Sequence, residues 1–186
     1  MTWKAILELD CHLSKRLRIA EKPGFLRTVS IFLAHSGDSW FWGLGLVILW
    51  WFGQSSWKQR AVVLLGSIAV MAVLVLAIKF SVRRRRPEGD WGGIYRNTDP
   101  HSFPSGHAAR SFLIAVLAIG LCPGWLAVVL SIWAPLVALA RVAMGVHYTS
   151  DVVAGMILGI VVGIIVLQLY APVLNWVTSL FGIALW

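Results

Sequence analysis

The stretch 61–80 constrains this chain most, because it is apolar over about the twenty residues that a bilayer core requires. In lipid, backbone polar groups must be satisfied within the segment, so such a stretch reads as a helix. Stretches 107–122, 125–144 and 151–171 repeat the pattern, with Pro123 and Gly124 parting the first two. Residues 25–53 are also apolar but are interrupted by His35, Ser36, Gly37 and Asp38, which centres a spanning part on 39–53. Its Trp40, Trp42, Trp50 and Trp51 sit at the ends, where interfacial aromatics collect. The expectation is an all-α, polytopic membrane helix bundle of about five transmembrane helices.

Composition agrees. The 186 residues are 59% hydrophobic and 13% charged, whereas soluble domains run at about 45–50% and about 25%. One integral-membrane domain, 1–186, is expected. The net charge of +8 gathers at segment ends, so an anionic lipid surface, not nucleic acid, is the expected partner. Cys11 and Cys122 form no disulfide framework, and His12, His35 and His101 are too scattered for a metal site; no metal or cofactor is expected. Oligomeric state is not read from this pattern. In residues 1–22, Ile6, Leu9, Leu13 and Leu17 recur at helical spacing among Lys and Arg, giving an interfacial amphipathic helix that Pro23 and Gly24 end. Charges from Glu8 to Arg18 break any cleavable-signal pattern. The tail 173–186, with Trp176 and Trp186, is apolar but too short to cross again.

Counting the last four spans gives direction. If 61–80 runs towards one membrane face, the loop 81–106 lies there and the turn at 123–124 lies opposite. Residues 145–150 then return to the first face. Three polar stretches thereby share it: Lys79 to Arg86 and Pro87; Pro104-Ser105-Gly106-His107; and Arg141, His147 and Asp151. Ionisable residues at membrane depth are costly and functional by default. Either Lys79 or Arg141 alone reads as a cation snorkelling to the interface, but the set points to an anionic ligand. Arginine offers a planar fork matched to phosphate oxygens and lysine a compact charge. Arg83, Arg84 and Arg85 read as a basic stop at the lipid surface. Ser105 can cap the helix that follows, while Gly106 lets backbone N–H groups approach an anion. His147 and Asp151 are four apart, on one helical face, where the carboxylate could fix the imidazole tautomer. His101 reads as a surface residue.

These residues resemble the type-2 phosphatidic acid phosphatases, integral-membrane lipid phosphatases that share an active-site plan with vanadium haloperoxidases. The family pattern is K-x6-R-P, P-S-G-H and S-R-x5-H-x3-D. This chain supplies Lys79, Arg86 and Pro87, then Pro104 to His107, then Arg141, His147 and Asp151 at those spacings, within about 61–170. Ala140 stands where the family usually has serine. The resemblance implies metal-independent hydrolysis through a phosphohistidine. His147 would be the nucleophile, Asp151 its orienting partner and His107 the acid for the leaving group. Lys79, Arg86, Ser105, Gly106 and Arg141 would hold the phosphate. It implies a membrane lipid phosphate or diphosphate as substrate: phosphatidate, phosphatidylglycerol phosphate, a polyprenyl diphosphate or a lipid A phosphate. The loop 88–103 is long enough to cover the head group.

Two other functions use the same residues. A phosphotransferase would pass the group to another lipid, and a non-enzymatic lipid-binding or transport protein would need only the cations. Counted as topology signals, the basic residues put the site in the cytoplasm. The resemblance instead implies a bacterial inner membrane with the site facing the periplasm or exterior.

Overall fold

In the computed structural model, residues 3–89 and 99–181 are described. They form seven helices: α1 (Trp3–Arg16), α2 (Phe25–Ser36), α3 (Ser39–Phe52), α4 (Ser55–Val82), α5 (Gly106–Leu121), α6 (Gly124–Ala143) and α7 (Thr149–Phe181). Among the described residues, three stretches are long and apolar enough to cross a bilayer: Ser55–Val82, Gly124–Ala143 and Thr149–Val173. Ser39–Phe52 and Gly106–Leu121 are apolar but shorter.

α5 is the central helix. Its Leu113, Ile114 and Leu117 are fully buried against Leu64, Ile68, Met71 and Val75 of α4 and Val162 of α7. The opposite faces of α4, α6 and α7 present Val70, Val73, Leu76, Ile132, Leu139, Ile157 and Ile164, all exposed. A soluble protein buries its largest apolar patches, so an apolar shell around an already packed core is the mark of an integral membrane protein.

The α5–α7 contact is close because glycine lines it. A Cβ at Gly155 would fall 2.5 Å from the Ser105 carbonyl oxygen, and one at Gly159 would fall 2.3 Å from that of Ala109. At Gly163 it would meet Val116 Cβ at 2.8 Å. This is the small-residue stripe, at four-residue spacing, by which membrane helices bring backbones together.

The N-terminal segment forms a shorter helix than expected, ending at Arg16 rather than near residue 22. Leu9 and Leu13 point outward and are exposed, while Ser14 is buried. Ser14 Oγ accepts from the Thr149 N–H at 2.9 Å. α1 thus turns its polar side to the bundle and its leucines away, as a helix lying in a lipid interface would. Among 25–53 the interruption is real: α2 stops at Ser36, and Gly37 and Asp38 join it to α3. Ile6, Trp176 and Trp186 have side chains outside the described set, as do residues 90–98 of the long loop.

Candidate active site

The ends of four helices meet at one cavity of about 320 Å³. α4 delivers Lys79, α5 opens with Gly106 and His107, α6 ends with Arg141, and the turn into α7 carries His147. Gly145, at φ 70°, makes that turn in the left-handed region that glycine adopts without strain. The three polar stretches expected to share a face are therefore neighbours in space. Lys79, Arg86, Arg141 and His147 are all nearly inaccessible to bulk water yet line the cavity.

Burial, followed by the charges of Arg86, Arg141 and Lys79, pushes the His147 imidazole well below its ordinary value of 6.5. The ring is therefore neutral at pH 7. Its tautomer follows from Arg86, whose Nη1 lies 3.2 Å from His147 Nε2. A guanidinium only donates, so Nε2 must accept, and the ring proton sits on Nδ1. Nδ1 is 3.6 Å from Asp151 Oδ2, too long for a hydrogen bond. His147 sits in the bend before α7, which begins at Thr149, so the expected shared helical face with Asp151 is not formed, and it is Arg86 that sets the tautomer.

Asp151 itself is fully buried and held by Arg84. Arg84 Nη1 donates to Asp151 Oδ1 and Nη2 donates to Asp10 Oδ2, each at 2.7 Å. The guanidinium also lies over the Tyr148 ring, 4.0 Å from its centroid. Arg84 is thus not part of a basic stop at the surface, although Arg83 and Arg85 are exposed as expected. The cause is the αL residue Arg83 (φ 51°), which ends α4 and swings the chain so that Arg84 and Arg86 turn inward.

Ser105 caps α5, accepting from the Ala108 N–H, and its own N–H donates to the Asp151 carbonyl at 2.9 Å. It is fully buried and stands outside the cavity lining, whereas Gly106 forms part of the wall. Ala140 is buried against Ala34, Met144 and Val146. His101 is half-buried, edge-on to Phe80.

Three further polar residues at the cavity escaped the sequence reading. Asp99 Oδ2 receives hydrogen bonds from Lys79 Nζ and, at 2.7 Å, from Arg86 Nη2. Burial pushes the Asp99 carboxyl up, but Lys79 and Arg86 outweigh it and hold it below the usual range. Asp38, in the α2–α3 junction, receives His107 Nε2 at 2.7 Å and His35 Nδ1 at 2.9 Å. Burial raises the Asp38 carboxyl too, and the two histidines bring it well below the carboxylate range. Arg110 donates to the Gly37 carbonyl and to Ser39 Oγ. A helix-interrupting Asp and a lone Arg inside an apolar helix were the available signals. Among the described residues no group of histidines, cysteines and carboxylates is arranged to hold a metal ion.

The far wall of the cavity is apolar: Met71, Ala72, Val75 and Leu76 of α4 continue from Lys79 towards the bilayer face. A buried, neutral imidazole among fixed cations, next to an apolar wall, suits an anionic head group on a lipid.

Comparison with known proteins bears on the family and the fold. The chain is 39% identical over 156 residues to decaprenylphosphoryl-5-phosphoribose phosphatase from Mycobacterium tuberculosis, covering 80% of this chain and 82% of the relative. It is 30% identical over 138 residues to undecaprenyl-diphosphatase from Sulfolobus acidocaldarius, covering 72% and 66%. Its fold is similar to the transmembrane PAP2-type phosphatidylglycerolphosphate phosphatase from Bacillus subtilis, with a TM-score of 0.73 over 90% of this chain and 87% of that one, at 23% identity. Aquifex aeolicus LpxE gives a TM-score of 0.66 at 26% identity, covering 83% and 93%. The PAP2 superfamily pattern matches residues 60–173, close to the stretch that bears the three motifs. The chain belongs to the PAP2 superfamily and is a membrane phosphatase.

Proposed function

We propose that this phosphatase hydrolyses a polyprenyl-linked phosphate monoester or diphosphate through a phosphohistidine on His147. One observation carries the reading: the acceptor nitrogen Nε2 of a buried, neutral His147 sits 3.2 Å from Arg86 in a cavity also lined by Lys79 and Arg141. The lone pair on Nε2 attacks phosphorus. The bond to the leaving oxygen breaks, and His107 supplies that oxygen with a proton. Water then attacks the phosphohistidine and gives its proton to His107. The P–N bond breaks, releasing phosphate and free His147. Lys79, Arg86, Arg141 and the Gly106 N–H stabilise the charge that builds on the phosphoryl oxygens. Ser105 acts on this wall indirectly, by holding the first turn of α5 against the Asp151 backbone. Asp151 stabilises the positive charge that His147 gains.

The polyprenyl preference is supported by the relatives and by the apolar α4 wall, which offers a path for the chain attached to the phosphate. We place α3 and α5 with the three long helices as a set of five spans. α5 can be short because the bundle itself surrounds it.

Phosphate release by purified protein in detergent with EDTA tests the reading. The panel is decaprenylphosphoryl-5-phosphoribose, undecaprenyl diphosphate, phosphatidate, phosphatidylglycerol phosphate and lipid A. A polyprenyl substrate should lead, and H147A should lose activity on the order of 10⁴-fold. Because His147 must be neutral and its imidazole is held well below the ordinary histidine value of 6.5, activity that depends on it should persist as the pH falls through 6.5 and be lost only well below it. Full activity in H147A would remove the proposed nucleophile, and product that forms only with an acceptor lipid would make the enzyme a transferase.

A further inference from the structure

We infer that Asp38 is a positioning residue of this reaction, orienting the His107 imidazole and stabilising the positive charge it bears while holding the leaving-group proton. The inference rests on the assignment of His107 as that acid. Asp38 lies outside the three motifs, 69 residues before His107 in the chain. Its Oδ1 is 2.7 Å from His107 Nε2 and its Oδ2 is 2.9 Å from His35 Nδ1. An ionised carboxylate only accepts, so both ring nitrogens donate to it.

The junction carrying Asp38 is clamped in place by the helix that carries His107. Arg110, one turn along α5, donates through Nε and Nη2 to the Gly37 carbonyl and through Nη1 to Ser39 Oγ. Gly37 is pressed so closely that a Cβ there would come within 3.0 Å of Val137 Cγ1 and 3.4 Å of His107 Cδ2. α5 therefore holds both the imidazole and the guanidinium that sets a carboxylate opposite it. The charge balance calls for that carboxylate. Arg141 from α6, Arg110 from α5 and the loop residue Asp99 line the same cavity as His107, and Asp38 is the anion in direct hydrogen-bond contact with the imidazole. Lys79 from α4 and His147 from the turn before α7 share the same cavity, and His35 of α2 occupies the far oxygen of Asp38. Through the cycle Asp38 gives up no proton and keeps the Nε2–H of His107: the Nδ1–H bond breaks as the leaving oxygen is protonated, and it reforms when water attacks.

The test is D38N in the full chain, purified in detergent, with H107A alongside. Two quantities are read: the basic limb of the pH profile, and the rate on a lipid alkyl phosphate against that on an aryl phosphate such as p-nitrophenyl phosphate. The aryl leaving group departs with little protonation. D38N should move the basic limb down by about one pH unit. It should slow the alkyl substrate by roughly 10–100-fold and the aryl substrate much less. An unmoved basic limb, or equal losses on both substrates, would reduce Asp38 to a structural residue. H107A with full lipid activity would overturn the acid assignment, and this inference with it. A dead H107A beside a D38N that behaves as wild type would overturn the inference alone. If D38N does not accumulate, Asp38→Ser also removes the charge and is read by the same two quantities.

Discussion

Between Asp10 and Asp151 lies the guanidinium of Arg84, with one Nη on each carboxylate. Asp10 also accepts from the Ser150 N–H at 2.9 Å, so α1, the loop after α4 and the first turn of α7 are tied at one point. Removing Arg84 leaves the fully buried Asp151 carboxylate uncompensated, at a cost of about 3 kcal/mol or more. Arg84→Gln should therefore lower thermal stability in detergent and reduce kcat through Asp151, whereas Arg85→Gln, at an exposed neighbour, should do neither. Paired melting curves and rates for the two variants would check this, and equal behaviour would contradict the structure. Nothing in the residue types separates Arg84 from Arg83 and Arg85. Their different fates follow from one left-handed residue, φ 51° at Arg83, and that is a backbone property. Lys79, Arg86, Arg141 and His147 were legible because their spacing matches the pattern of the family the chain resembles. Asp38 and Asp99 were not, since each meets its partner only across elements.

At the scale of elements, the stripe of Gly155, Gly159 and Gly163 lets α7 lie against α5 closely enough for the Asp151 carbonyl to receive the Ser105 N–H. That contact brings two of the three motifs together. A methyl at Gly159 would need 2.3 Å to a backbone oxygen, which the helices can relieve only by separating. Gly159→Ala should cost stability at the upper end of the ~1–3 kcal/mol that overpacking exacts, with loss of activity. Gly45→Ala is the control. A Cβ there meets nothing within 4 Å, and helix propensity favours alanine by about 1 kcal/mol. Unfolding midpoints of the two variants should therefore move in opposite directions. Hydropathy gave the existence of α4, α6 and α7 but missed this stripe, because glycine is unremarkable in a membrane helix until its neighbour is known.

At the scale of the whole molecule, the site occupies one end of the bundle, with α1 alongside and Lys58 at the start of α4, the opposite end. Burial changes how the charges are counted. Arg86 and Arg141 are buried in the cavity and Arg84 is half-buried against carboxylates, so they do not act as free cations that orient insertion. With those removed from the count, Lys15, Arg16, Arg18, Arg83 and Arg85 at the site end still outnumber Lys58 and Arg60 at the other, so the charge bias continues to oppose the exterior-facing site that the family resemblance implies, and labelling decides between them. Glu88→Cys, exposed beside the cavity end, should react with an impermeant thiol reagent in intact spheroplasts once Cys11 and Cys122 are replaced by serine. Lys58→Cys should react only after lysis. The reverse pattern would place the site in the cytoplasm.

The sequence by itself determined that the chain is a helical membrane protein, through hydropathy, and it determined which eight residues to suspect, through short-range spacing matched to the family pattern it resembles. Only the tertiary structure decided which arginine braces Asp151, which cation sets the His147 tautomer, and that Asp38 faces His107. Those are contacts between side chains from different helices. They depend on where α4 ends, how closely α5 and α7 approach, and how the α2–α3 junction is held, and none of these is a local property of the chain.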